Sequence, residues 1–247
     1  MEPYALVALG VALAFALGGL VKGVVGFGLP VVTLPLLILL VDVRVALVLM
    51  TVPILITNLY QALRGGFVRD IFRDFWWLFA AMSAGFALGG LLILNLDPGL
   101  LVGLVGVAVT VFAAVSLYQP ALHLPEKRQR PVGVLTGVVA GTLGGLTTLY
   151  GPPIIMYLLA TGLPQKTLIP LLGAIYLLGG ILLIGTYTSV SLLTWQLLAV
   201  SATCVLPALL GMGAGQWLRE RVPPSAARKL TLVFLLLIGL SMLRNFL

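Results

Sequence analysis

Seven stretches of this chain contain no Asp, Glu, Lys or Arg: 3–21, 23–41, 45–63, 75–96, 98–122, 131–165 and 167–218. About 20 apolar residues span the hydrocarbon core of a bilayer, so runs of this kind put most of the chain in lipid. Hydrophobic residues make up 61% of the 247 and charged residues 9%, with a mean hydropathy of +1.19, far from the averages of soluble domains. The expected fold is an all-α polytopic membrane protein, one membrane domain with no room for a soluble one. Residues 1–3 lack a basic n-region, so the first apolar stretch is expected to persist in the mature protein.

Two of these runs are interrupted by helix breakers, and the interruptions match. The segment from Gly19 to Pro30, GLVKGVVGFGLP, returns in altered form at an offset of 122 as GTLGGLTTLYGP, pairing Gly19 with Gly141, Gly23 with Gly145 and Pro30 with Pro152 without a gap. In lipid, non-helical backbone is tolerated only where protein or a water-filled cavity satisfies the freed polar groups. Paired breaks in two halves of a chain point to a transporter's binding site. A second alignment, at an offset of 126, pairs Gly85 and Gly89 with Gly211 and Gly215, and Pro98 with Pro224. Glycines four apart on one helix face admit a close neighbour, so these four are read as packing positions rather than ligand contacts.

The loop charges set a topology. Basic residues cluster at Arg64, Arg69 and Arg73, at Lys127, Arg128 and Arg130, and at Arg219, Arg221, Arg228 and Lys229. If all three clusters are cytoplasmic, an even number of crossings separates them. Helices near 75–94 and 98–117 supply two between the first pair of clusters. Between the second pair lie helices near 167–187 and 193–218, so the broken segment 131–162 contributes zero or two and forms a hairpin, either re-entrant or with a short return arm. The same logic makes 4–41 a hairpin opening from the outside, followed by a helix over 45–63. The chain thus reads as two inverted repeats, each a broken helical hairpin followed by three transmembrane helices. Residues 1–122 form the first, 123–131 a basic cytoplasmic linker and 132–247 the second.

The break Gly23-Val24-Val25-Gly26-Phe27-Gly28-Leu29-Pro30, its partner over 141–153 and the following Tyr157-Leu158-Leu159 resemble the TauE/SafE family of membrane anion transporters, also called the sulfite exporter family. The resemblance covers nearly the whole chain in length, hairpin placement and two-half layout. It implies transport across a bacterial or archaeal inner membrane of sulfur-containing anions such as sulfite, thiosulfate or organosulfonates including sulfoacetate, and in some members of small carboxylate-type anions.

An anion also follows from the residues themselves. After each break the chain resumes a helix, whose first N–H groups and positive dipole end suit an anion. Gly26, Gly28 and Gly151 let an oxyanion reach the main chain unobstructed; the alternative is that they only permit tight hairpin packing. Thr147, Thr148 and Tyr150 add hydroxyl donors matched to sulfonate oxygens. Lys22 is the only charge inside the first hairpin, placed either to meet the substrate or to snorkel to an interface; Gly144 stands opposite it in the second. Asn58 and Gln61 share a helix face, read as cavity lining and as interhelical glue respectively. Tyr60 and Tyr187 suit an interfacial belt, and Pro35, Pro53, Pro170 and Pro207 suit kinks. The candidate substrate-binding set is Lys22, Gly26, Phe27, Gly28, Asn58, Thr147, Thr148, Tyr150, Gly151 and Tyr157.

The absences narrow the function. No Asp or Glu falls inside an expected span, so a carboxylate proton relay or sodium site has no support. Cys204 and His123 are each alone, which excludes an internal disulfide and a Cys- or His-based metal site; no cofactor and no metal is expected. Ser83, Ser116 and Ser201 have no histidine or carboxylate partner, against an intramembrane enzyme. A passive assembly subunit has no need of two costly breaks. The net charge of +7 is a topology signal facing an anionic leaflet rather than a nucleic-acid surface. The expected partners are a small anion and the bilayer of the cell membrane, with a homodimer compatible with both.

Overall fold

The computed structural model describes residues 3–65, 69–118, 123–221 and 224–246. Residues 66–68, 119–122 and 222–223 lie outside the described residues; the expected basic linker 123–131 lies within them, and from Glu126 onward it is the start of a helix. The described residues are helical, with no strand among them: α1 (Pro3–Val25), α2 (Leu29–Ile38), α3 (Val43–Leu49), α4 (Thr51–Gly65), α5 (Arg69–Ile93), α6 (Pro98–Tyr118), α7 (Glu126–Thr147), α8 (Gly151–Ala160), α9 (Gln165–Ser189), α10 (Trp195–Thr203), α11 (Val205–Arg219) and α12 (Pro224–Phe246). Six stretches among them are long and apolar enough to cross a membrane, while α2 and α8 are short apolar helices. At ten residues each, these two extend roughly 15 Å, about half the hydrocarbon thickness.

Local chemistry fixes several boundaries. Asp42 caps α3 by accepting from Arg44 N at 2.8 Å, Asp97 accepts from Gly99 N at 2.7 Å at the start of α6, and Thr194 accepts from Leu197 N at 3.3 Å at the start of α10. These side chains satisfy N–H groups that the first helical turn leaves without carbonyl partners. Helix α5 begins well before the expected position 75, because its charged first turns, with Arg69, Asp70, Arg73 and Asp74, continue into the apolar span across a non-helical residue, Phe75 (φ −116°, ψ 17°).

The chain forms two compact units. The first contains Met1–Ile54, Leu96–Gln119 and Thr194–Leu247; the second contains Leu55–Asn95 and Pro120–Leu193.

In the first unit α2 folds back on α1. Thr33 Oγ1 donates to Ala14 O at 3.2 Å, and Gly18 leaves the room that Thr33 occupies. The other side of α1 lies against α11, backbone to backbone: a Cβ on Gly23 would collide with Met212, Gln216 and Gly215, the last at 2.9 Å from its Cα. The membrane helix 43–63 is interrupted at Met50 and the helix 195–219 at Cys204, each three residues before a proline, Pro53 and Pro207. A proline takes away the donor to the carbonyl four residues earlier, which for Pro53 is Leu49 O. Ser201 Oγ donates to that carbonyl at 2.9 Å and accepts from Val52 N at 3.2 Å, so one hydroxyl splices the broken ladder. Pro35 and Pro170, by contrast, sit inside α2 and α9 without ending them.

In the second unit α8 folds back on α7. Tyr157 Oη donates to Gln129 O at 2.9 Å, Leu124 N donates to Ala160 O at 2.8 Å, and Gln129 Nε2 donates to Thr161 O at 3.2 Å. Helix α7 meets α5 as α1 meets α11, since a Cβ on Gly85 would lie 2.9 Å from Gly141 Cα and one on Gly145 would lie 3.1 Å from Gly89 Cα. Helix α9 closes the unit, with Gly173 against Ala62 and Gly180 against Leu55. Tyr187 is fully buried there rather than at an interfacial belt. An all-apolar helix carries no polar face to show which side is covered, so its burial is not written in local sequence.

The outward faces of the membrane helices carry large apolar side chains. Leu13 and Leu17 of α1, Leu88 and Leu91 of α5 and Leu206 and Leu210 of α11 are exposed, a pattern suited to lipid and costly in water. The protein is a multi-pass membrane protein.

Candidate functional site

Each unit contains one break between a long helix and its short return arm. In the first, α1 ends where Gly26 N donates to Lys22 O at 2.8 Å. Gly26 (φ 90°) and Gly28 (φ 104°) occupy the left-handed region, and Gly28 precedes α2 with no side chain to cap it. Gly28, Leu29 and Val31 carry N–H groups at the start of α2; Pro30 has none. Lys22 is 5% exposed, covered by protein rather than extended to an outer end of the helix. Phe27 packs edge-on against Phe112 at 5.9 Å and, with Val21, Val25, Gly28 and Leu235, lines a small apolar pocket.

The second break, at 148–150, repeats the left-handed backbone turn of the first with different side chains. Thr148 ends α7 in the left-handed conformation (φ 62°) with its N donating to Gly144 O at 2.8 Å. For a β-branched residue this is a strained position, costing on the order of 1 to 3 kcal/mol, and such strain collects at functional sites. Thr148 is fully buried, and its Oγ1 has no hydrogen-bond partner. Thr147 Oγ1 is engaged locally, donating to Leu143 O at 2.7 Å and accepting from Leu149 N at 3.4 Å. Pro152 and Pro153 remove two of the N–H groups expected at the start of α8, which leaves those of Tyr150 and Gly151.

Around this break stands a buried polar knot. Asn58 Nδ2 donates to Tyr150 Oη at 3.0 Å and to Tyr176 O at 2.8 Å, and Tyr150 Oη donates to the same carbonyl at 3.1 Å. The ring of Tyr150 lies edge-on to Phe86 and to Tyr176. Tyr176 Oη, itself buried and without a partner, lies 3.4 Å from where a Cβ on Gly151 would stand. It is therefore aimed at the first residue of α8. A buried hydroxyl without a partner costs about 1 to 3 kcal/mol, and here two occur at one break.

The structure thus gathers Asn58, Thr148, Tyr150 and Gly151 around the second break, with Thr147 beside them. Lys22, Gly26, Phe27 and Gly28 gather at the first. Tyr157 lies elsewhere, one and a half to two turns into α8, where its hydroxyl ties the two arms of the hairpin together. Tyr176 was not in the sequence-based set. The signal that marks it is Gly179 on the same helix face: a Cβ there would lie 2.5 Å from Tyr150 Cζ, so the glycine clears space for one tyrosine beside another.

The polar groups at the start of α8 are hydroxyls and main-chain N–H groups, and comparison with known proteins identifies a family. The family model described as sulfite exporter TauE/SafE matches residues 11–242. Comparison with curated proteins and with solved structures gives no significant match. The chain belongs to the sulfite exporter TauE/SafE family of membrane transporters.

Proposed function

We propose that this protein is a secondary transporter or exporter of small sulfur-containing anions, sulfite or organosulfonates such as sulfoacetate, across the plasma membrane. The anion is engaged at the Gly/Pro breaks. The observation that carries this reading is the pair of buried, unpartnered hydroxyls, Thr148 Oγ1 and Tyr176 Oη, at the start of α8. Protein interiors leave few such groups unmatched, and an oxyanion supplies the acceptors they lack. Gly151 N–H lies at the helix start beside them, and Asn58 and Tyr150 hold Tyr176 in place through its carbonyl. At the first break Gly26 and Gly28 open the backbone, Phe27 supplies an apolar wall and Lys22 a cationic group. Thr147 shapes the bend, and Tyr157 secures the return arm. No group here suggests bond-breaking chemistry, and the reading is of a carrier, not an enzyme.

The same proposal includes the two inverted repeats, 1–122 and 132–247 about the linker 123–131. Its support is that one kind of glycine contact recurs, α1 with α11 and α5 with α7, at positions related by the offsets of 122 and 126.

Two experiments test this reading. Thermal shift of purified protein with sulfite, sulfate, thiosulfate, taurine, sulfoacetate and a carboxylate should show stabilisation by sulfur oxyanions, because a ligand that binds only the folded state raises apparent stability; flux of the same anions in proteoliposomes should follow. Stabilisation by the carboxylate alone would move the substrate to that class, and no anion response would remove the carrier reading. For the topology, cysteines placed at Ser189 and Ser225 after Cys204 is replaced should label from opposite sides, Ser189 in an uncharged loop and Ser225 within the third basic cluster. Labelling from the same side would sink the inverted repeat.

A further inference from the structure

We infer that the second break holds a singly charged oxyanion head in preference to a doubly charged one, so that bisulfite or a sulfonate head, including that of sulfoacetate, is favoured over sulfate. The inference rests on the reading of this break as an anion site and deepens it to a charge class. Every donor on offer there is neutral: the hydroxyls of Thr148 and Tyr176 and the N–H groups of Tyr150 and Gly151. The polar side chains buried in this unit are Thr57, Asn58, Thr147, Thr148 and Thr161, besides the tyrosines, and no Lys, Arg or His is buried among its described residues. Arg73, Lys127, Arg128, Arg130 and Lys166 are all exposed.

The remaining positive potential is the start of α8, equivalent to roughly half an elementary charge. The C-terminal end of α7 reaches the same break and offsets part of it. Desolvating an ion costs energy in proportion to the square of its charge, so a dianion loses about four times what a monoanion of the same radius loses. Two hydroxyls and a partial charge suit one negative charge spread over three oxygens and leave a second uncompensated. The strained Thr148 supplies a donor at the bend without adding charge, which a lysine or arginine there would not.

The test uses purified full-length protein in detergent, titrated calorimetrically with methanesulfonate, a permanent monoanion, with sulfate, a dianion of similar head size, and with sulfite across the pH range in which bisulfite loses its proton. Titrations are run on wild type and on Lys22→Gln, with Lys22→Met in reserve if the Gln variant does not fold, so that the cation at the first break does not enter the comparison. The expected result is methanesulfonate tighter than sulfate by roughly tenfold or more in both proteins. Sulfite should weaken as pH rises while methanesulfonate stays flat. Thr148→Val and Tyr176→Phe should each lose roughly tenfold or more in methanesulfonate affinity, with Thr148→Ser retaining it. Sulfate binding as tightly as methanesulfonate, or sulfite tightening with pH, overturns the charge selection while leaving an anion site in place. Sulfate binding as tightly as methanesulfonate in the Lys22 variants overturns it as well, whatever their absolute affinity, since the neutral donors would then not discriminate. No response of wild type to any of these anions removes the underlying reading and the inference with it.

Discussion

The two breaks perform the same geometric task with opposite chemistry. The first turns on glycines at φ 90° and 104° and carries a buried lysine and an apolar pocket. The second turns on a threonine at φ 62°, a residue poorly suited to that conformation, and is surrounded by hydroxyls. Glycine would make either bend at low cost. A chain that places a β-branched residue in the left-handed region and leaves its buried hydroxyl unmatched departs from local consistency twice at one position, and such departures are expected at functional or strained sites. The contrast teaches that matched breaks in sequence need not be matched in chemistry, and that the second is the more specialised of the two.

The largest effect separates scaffold from site. Gly141→Val, where α7 meets α5, and Gly215→Val, where α11 meets α1, both drive a side chain into neighbouring backbone. Each should cost about 3 kcal/mol or more, read as loss of monodisperse protein on size exclusion. If either variant folds normally, the two interfaces are not the equivalent close contacts described above.

Next come the unmatched hydroxyls. Thr148→Val and Tyr176→Phe should each weaken anion binding by about 1.5 to 3 kcal/mol, tenfold to more than a hundredfold, while the melting temperature of the unliganded protein rises or holds, since each change removes an unmatched hydroxyl. Tyr150→Phe should do the reverse. Its hydroxyl already donates to Tyr176 O and accepts from Asn58, so its removal should lower stability by about 1 kcal/mol and affect affinity less. Equal losses of affinity in all three would make Tyr150 a direct ligand.

The smallest effect sharpens the contrast in backbone. Gly26→Ala should destabilise by about 1 kcal/mol, since only the conformation opposes it and nothing lies within 4 Å of its Cβ position. Thr148→Gly should raise the melting point by relieving a similar strain while lowering anion affinity. A Thr148→Gly protein that is less stable than wild type would show that the threonine serves packing.

Much of this was legible in the sequence. Charge-free runs gave the membrane class, and Gly-Pro strings located both breaks, because hydropathy and helix-breaking are local properties. Gly85, Gly89, Gly211 and Gly215 advertised close packing, but the sequence could not say that they pack on the long helices of the broken hairpins, Gly85 on Gly141, Gly89 on Gly145 and Gly215 on Gly23; that is a property of the folded chain. Ser201 read as a serine without a catalytic partner, and its splice to Leu49 O depends on a neighbour about 150 positions away. Tyr176 escaped for the same reason. Its importance lies in the absence of a partner for its hydroxyl, and an absence has no local pattern.

The ten-residue arms have one more consequence. On the proposed topology, with α8 running inward from one interface, an arm of about half the hydrocarbon thickness would put the start of α8 near the middle of the membrane's electric field. A monovalent ion crossing the full field exchanges about 2.3 kcal/mol per 100 mV, so an anion seated at that break has spent roughly half of this on arrival and has half still to spend on departure. Occupancy of the break is then itself a function of membrane voltage, and hyperpolarisation acts on loading from one face and on release to the other in equal measure.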